Sequence, residues 1–252
     1  MKRVARLMVG MCLVGMFSSG ANPKYGPAGK PEATPLSRDH GYFQSASHAA
    51  LDFWAMAPFY VPQLNEFSCS VASVAAVVNA AARAGKDLPE TDTNATHASL
   101  LDTVKVAEWA SRMQKGGFHG EVGLTLDQLA KVVAEALRVN GIKNPRVEKV
   151  EVRADDKAAR ARWRETIAKN EASGRDLLLI HFTQDTLTKS QGGPYPHISP
   201  IGAYDPETGR VLVMDVDRTY YEPYWVGADL VVTAMAVKTP PFGHGGWVRV
   251  SY

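Results

Sequence analysis

The sequence is poor in cysteine: its 252 residues include two, Cys12 and Cys69. That excludes a disulfide framework. It also lacks an excess of charge, with 28 Lys and Arg against 26 Asp and Glu and a formal net of +2. No long basic run with interleaved aromatics occurs, so nucleic-acid binding has no electrostatic footprint. Neither CxxC nor HExxH nor a His pair at ligand spacing is present, and no structural metal is expected. Glycine and proline follow no collagen-like period, and no repeat at solenoid spacing occurs. What remains, 45% hydrophobic and 21% charged, is the composition of an ordinary globular chain, long enough for one large domain or two small ones.

Residues 1–21 read as an export signal. Lys2, Arg3 and Arg6 precede an apolar stretch from Leu7 to Phe17, and Ser19-Gly20-Ala21 supplies small residues for cleavage. The stretch is about half the ~20 residues a bilayer span needs, so cleavage is expected rather than a retained anchor. Lipidation at Cys12 is a weaker reading, because Met11 stands where a small residue is wanted. The expected location is therefore outside the cytoplasm, in a bacterial periplasm, with no stable membrane insertion after cleavage. Removal of the signal turns the net charge from +2 to −1 and leaves Cys69 as the sole cysteine. The plain reading of a lone thiol is a small buried hydrophobe.

Residues 22–41, rich in Pro, Gly and Lys, are expected to form a flexible lead-in, and 42–252 the folded domain. Helices are expected at Ser70–Ala84 with Gly85 as the stop, at Ser99–Lys115, from a capping box of Thr125 and Gln128 through Asn140, and at Asp155–Ala172 anchored by Trp163 and Ile167. Asp176–Phe182 is a continuous apolar run suited to a buried strand. His197–Tyr204 and Arg210–Asp215 read as strands joined by the turn residues 205–209. A short helix at Asp229–Val237 and a strand at Trp247–Val250 follow. Helices first and antiparallel strands second is the α+β order.

Cys69 falls at the start of a helix, where unpaired backbone N–H groups and the positive end of the helix dipole favour a thiolate. Gln63, six residues earlier, offers an amide donor for a developing oxyanion. Seven histidines compete for the role of base. His40 and His48 lie at the edge of the ordered region, and His97 sits in a polar loop. His119 and His244 lie among glycines, while His181 reads as a core histidine inside an apolar strand. His197 opens a strand, and the strand paired with it carries Asp215, so the two can face each other across a ladder. A carboxylate there would fix the imidazole's tautomer. Asp217 is a substitute two residues further on.

The segment PQLNEFSCSVASVAAVVNA at 62–80 resembles the nucleophile segment of the phytochelatin synthase family. The segment HISPIGAYDPETGRVLVMDVDRTYYEPYWV at 197–226 is similar to its His-Phe/Ile-Ser-Pro, Asp-Val-x-Arg and Pro-x-Trp-Val blocks. The resemblance runs from about residue 55 to 240 and includes the eighteen-residue step from His197 to Asp215. It implies a papain-like cysteine protease fold and a thiol acyltransferase acting on glutathione. Cys69 would be the nucleophile, His197 the base and then the acid, Asp215 its orienting group and Gln63 the oxyanion donor, with Arg218 meeting a substrate carboxylate.

The implied reaction cleaves the Cys-Gly bond, releases glycine and passes a γ-glutamylcysteinyl thioester to water or to a second glutathione, as in phytochelatin synthesis and metal detoxification. No tightly bound cofactor is implied: cadmium or zinc would enter as a metal-thiolate glutathione substrate. Glutathione and related thiol peptides are thus the implied partners, and a homodimer is compatible with the resemblance. A papain-like peptidase or amidase acting on another small peptide is the alternative. Three departures stand out. Ser70 replaces the family's glycine after the nucleophile, adding a side chain close to the acyl site. Thr239 and Gly245-Gly246-Trp247 occupy the stretch where the family carries an acidic residue and Arg-Gly-Phe for the γ-glutamyl head. The Cys-rich region of the plant enzymes has no counterpart in the sequence.

Overall fold

The computed structural model describes residues 32–84 and 94–252. The expected export signal, Cys12 and the helix stop at Gly85 lie outside the described residues. Seven strands form one sheet: β1 (Thr34–Pro35), β2 (Arg146–Glu151), β3 (Asp176–Thr183), β4 (Pro196–Asp205), β5 (Arg210–Val213), β6 (Tyr224–Gly227) and β7 (Gly246–Ser251). Their order is β1-β6-β5-β4-β3-β7-β2, and every neighbouring pair is antiparallel. Eight α-helices accompany them among the described residues: α1 (Leu51–Met56), α2 (Cys69–Arg83), α3 (His97–Thr103), α4 (Trp109–Arg112), α5 (Leu126–Val139), α6 (Lys157–Glu171), α7 (Gln184–Thr188) and α8 (Ala228–Ala236). The mixture of helices with an antiparallel sheet is α+β.

The sheet is covered on both faces, which explains the unbroken apolar run of β3. Leu177 and Leu179 point into a core shared with α2 and α5, while Leu178, Ile180 and Phe182 point into a second core shared with α6 and α8. Trp163 and Ile167 anchor α6 there with no exposed surface, and the Asp156 side chain caps that helix through Ala159 N–H. The reciprocal bonds of Thr125 and Gln128 start α5 as the capping box requires.

The structure corrects the sequence expectations at several points. The helix expected at Ser99–Lys115 is broken: α3 stops at Thr103, and Ala107 (φ 59°) and Glu108 (φ 48°) adopt left-handed backbone before α4 begins. The break directs Trp109 into the core, where its indole N–H meets Ser70 Oγ at 2.9 Å. Residues 32–41, assigned to a flexible lead-in at 22–41, are part of the fold. Thr34 and Pro35 pair with Trp225 and Tyr224 at the sheet edge, where a proline is tolerated. Asp39 meets Arg210 at 2.8 Å and accepts from the Trp225 indole at 2.9 Å. All these partners are nearly two hundred residues away, beyond the reach of local pattern. Strands β2 and β6 and helix α1 lie where no element is expected.

Candidate active site

Helix α2 starts at the nucleophile candidate because the preceding loop folds on its own side chains. Ser68 Oγ accepts from the N–H groups of Leu64 and Asn65 at 3.0 Å each, and Asn65 Oδ1 accepts from Phe67 N–H at 2.9 Å. Engaged in the loop, Ser68 makes no side-chain cap on α2, though its carbonyl accepts from the N–H groups of Val71 and Ala72 at 3.0 and 3.3 Å. Cys69 is half-buried and unbridged. Every residue from Ser70 to Ala81 is buried behind it, and Ser73 Oγ donates to Ile198 O at 2.9 Å, fixing α2 against β4.

His197 is the second residue of β4 and is 6% exposed. Its Nε2 lies 2.9 Å from Asp215 Oδ1, which leaves Nδ1 as the nitrogen available to the thiol. Cys69 is near enough to influence the ring electrostatically. Burial disfavours an imidazolium here, but the opposed charges of Asp215 and Cys69 outweigh it and hold the pKa of His197 well above the ordinary 6.5.

Asp215 is fully buried and would be costly as a charge without partners. It has four. Besides His197, its carboxylate accepts from Gln184 Nε2 at 2.9 Å, Tyr224 Oη at 3.0 Å and Asp217 N–H at 2.9 Å. Burial pushes its pKa up, but the imidazole and these donors pull it below the ordinary carboxylate value. Gln184 and Tyr224 escape sequence reasoning: no local signal marks Gln184 in α7, and Tyr224 reaches Asp215 only through the β5–β6 register, in which it pairs with Val213. Asp217 does not substitute for Asp215; it supplies its backbone N–H, and burial raises the pKa of its own half-buried carboxyl.

Two further contacts tie the Gln63 loop to the same place. Gln63 N–H donates to Val216 O at 2.9 Å, and the Tyr60 hydroxyl donates to the carbonyl of Asp215. Gln63 is half-buried, and its Oε1 is buried without a hydrogen-bond partner among the described residues. Arg218 lies at the surface. Its guanidinium lies 5.8 Å over the Tyr60 ring, and the residue borders a surface cavity of about 410 Å³ together with Tyr60, His40 and Glu222.

Ser70 is buried beside Cys69 in sequence. Its hydroxyl is engaged in the core, accepting from Trp109 at 2.9 Å and donating to Met113 Sδ at 3.2 Å. Of the rejected histidines, His181 is buried and only half satisfied: Nε2 meets Leu124 O at 3.1 Å while Nδ1 has no partner among the described residues. Desolvation lowers its pKa to about 4, which keeps it neutral. Among the described residues no group of three or more His, Cys, Asp or Glu is placed to hold a metal ion, and no helix is long and apolar enough to cross a membrane.

The geometry is that of a buried imidazole held by a buried carboxylate, with the Cys69 thiol near enough to influence the ring. Over 58 residues the chain is 38% identical to a protein of Lotus japonicus described as glutathione gamma-glutamylcysteinyltransferase 3, a stretch that covers 23% of this chain and 12% of that relative. The model of the phytochelatin synthase family matches residues 35–243, a span that contains Gln63, Cys69, His197, Asp215 and Arg218. The chain belongs to the phytochelatin synthase family.

Proposed function

We propose that this chain is a papain-like thiol enzyme that cleaves the Cys-Gly bond of glutathione through a γ-glutamylcysteinyl thioester on Cys69. The observation that carries the reading is the buried His197–Asp215 pair beside a thiol at the first residue of α2, inside the span matched by the family. An imidazolium opposite a thiol at a helix N-terminus is the proton state that favours a thiolate. The thiolate attacks the cysteinyl carbonyl, and the carbonyl oxygen gathers negative charge. Gln63 is the side chain proposed to meet it. Nδ1–H of His197 then protonates the departing glycine nitrogen as the C–N bond breaks.

The thioester passes to water, giving γ-glutamylcysteine, or to the amine of a second glutathione, giving a longer thiol peptide. In either step His197 takes the proton lost by the attacking group, and the thiolate leaves. Asp215 keeps Nε2 engaged throughout. Cadmium or zinc belongs to this scheme as part of a metal-thiolate glutathione substrate. Arg218, exposed beside the cavity it shares with Tyr60, is the side chain suited to a substrate carboxylate. Export to a periplasm, with cleavage after residue 21, remains part of the proposal.

One observation favours a second reading, a peptidase or amidase of the same fold acting on another small peptide. Thr239, Gly245, Gly246 and Trp247 are all buried and bring no side-chain charge, so a γ-glutamyl head finds no counter-charge at those positions. Intact-protein mass spectrometry after incubation with glutathione, with and without cadmium, separates the readings. A γ-glutamylcysteinyl adduct on Cys69 with free glycine supports glutathione as substrate. Folded protein with a reduced thiol and neither product would overturn it in favour of another peptide.

A further inference from the structure

Behind the loop that carries Gln63 lies a cavity of about 540 Å³, within the range of small-molecule sites. Phe59, Val61, Pro62 and Leu64 form its loop wall, Ala75 of α2 its floor, and His97 of α3 its far side. Among the described residues, neither Cys69, His197, Asp215 nor Gln63 lines it, and neither does any Lys, Arg, Asp or Glu. Its other polar groups are engaged. Asn79 makes a two-way amide pair with the backbone of Ala95, at 2.9 and 2.7 Å, the Thr96 hydroxyl accepts from Ser99 N–H at 3.1 Å, and Asn94 Oδ1 accepts from Arg83 at 3.3 Å.

His97 is the exception. Both nitrogens of its ring are buried, and neither has a hydrogen-bond partner among the described residues. Burial also lowers its pKa, so near neutral pH the ring presents one N–H donor and one bare acceptor. Buried polar groups left in that state are costly, and each calls for an explanation. The lining narrows the occupant. An ion would find no counter-charge among the described residues, and a pure hydrocarbon would leave the imidazole as it is. A flat, uncharged body with one polar group fits both the apolar walls and the ring.

We propose that this cavity is a second binding site, separate from the thiol centre, for an uncharged aromatic molecule whose single hydroxyl or carbonyl hydrogen-bonds to His97. The proposal does not depend on the reaction assigned to Cys69.

The test is calorimetric titration of the whole chain with 2-naphthol and with naphthalene, which differ by the hydroxyl alone. Saturable one-to-one binding of 2-naphthol is expected, about tenfold tighter than naphthalene, the worth of one hydrogen bond of ~1.4 kcal/mol. His97→Phe should erase the difference between the two, and Ala98→Trp, an exposed position on the cavity rim, should block both. Circular dichroism and the rate of Cys69 alkylation should be unchanged in both variants, which guards against loss of fold. Absence of saturable binding would overturn the proposal. So would equal affinity of the wild type for both compounds, or affinity unchanged in both folded variants.

Discussion

His197 and Asp215 meet at 2.9 Å although they are not paired in the β4–β5 ladder. The ladder runs Asp205↔Arg210, Tyr204↔Val211, Ala203↔Leu212 and then Ile201↔Val213, with Gly202 as an extra residue on β4. Beyond it, Met214 N–H donates to Pro200 O at 2.9 Å, which sets Asp215 opposite Ser199. His197 lies two residues before Ser199 and so shares its face. Without the bulge the pairing would be one residue out of step, and the carboxylate and imidazole would fall on opposite faces. Gly202 suits the position because a Cβ there would stand 2.9 Å from Met214 Cγ.

The roles proposed for Cys69, His197 and Asp215 separate kinetically. Cys69→Ser should lower glycine release from glutathione by at least ~10³-fold, since the nucleophile itself is replaced. Asp215→Asn should cost on the order of 10²–10⁴-fold while leaving measurable turnover, because it disturbs the orientation and charge of the base without removing it. Comparable activity in wild type and Cys69→Ser would sink the thiol mechanism.

The proton state of His197 gives a pH signature. Because its pKa is held well above 6.5 by Asp215 and Cys69 against the effect of burial, the imidazolium survives through neutral pH and is lost only as pH rises through that elevated value. Turnover should therefore decline on an alkaline limb well above pH 6.5. Asp215→Asn removes the larger of the two raising charges, so its limb should move to lower pH in a pH–rate profile. An unmoved limb would show that another group controls it.

Ser70 is a matter of stability and not of chemistry. Ser70→Gly deletes the acceptor of the buried Trp109 indole and places glycine in the first turn of α2. A loss of ~1–3 kcal/mol in urea unfolding is expected, with the rate of Cys69 alkylation unchanged in the folded protein. A large change in that rate would return Ser70 to the acyl site.

Asp52 is 4% exposed, and its Oδ2 has no partner among the described residues. Burial raises its pKa well above 3.8, Asp176 and Glu171 add to the rise, and a bond from Asn170 opposes it. The folded state then holds a proton that the unfolded chain releases, so Asp52 lowers stability progressively as pH climbs from about 3.8 through the raised value. Asp52→Asn should flatten that decline and raise the urea midpoint at pH 8 while leaving it near wild type at pH 4. Parallel pH profiles for the two proteins would count against it.

Local chemistry made much of this molecule readable in the sequence. Thr125 and Gln128, the helix beginning at Cys69, the apolar run of β3 and the Asp205–Gly209 turn all carry their information within a few residues. The failures are equally physical. β2 alternates two valines with charges because it lies at the sheet edge with most of its side chains exposed, so it has little apolar signal. The break between α3 and α4 answers to the Trp109–Ser70 bond, and the four-fold satisfaction of Asp215 draws on Gln184 and Tyr224, none of which neighbours its partner in sequence. The His197–Asp215 match was legible as a pair across a hairpin, while the bulge that makes it possible was not.

The position of β7 has a consequence for how the chain is made. The strand formed by Gly246–Ser251 sits inside the sheet, with β3 on one side and β2 on the other. All six residues of β2 pair with it, so β2 must wait on the ribosome for a partner translated long after it. Until then β3, from Asp176 to His181, presents an unprotected row of backbone donors and acceptors. Synthesis must pass Ser251 before the sheet can close, and a nascent chain stalled short of that point would expose its most apolar strand to chaperones and to its neighbours.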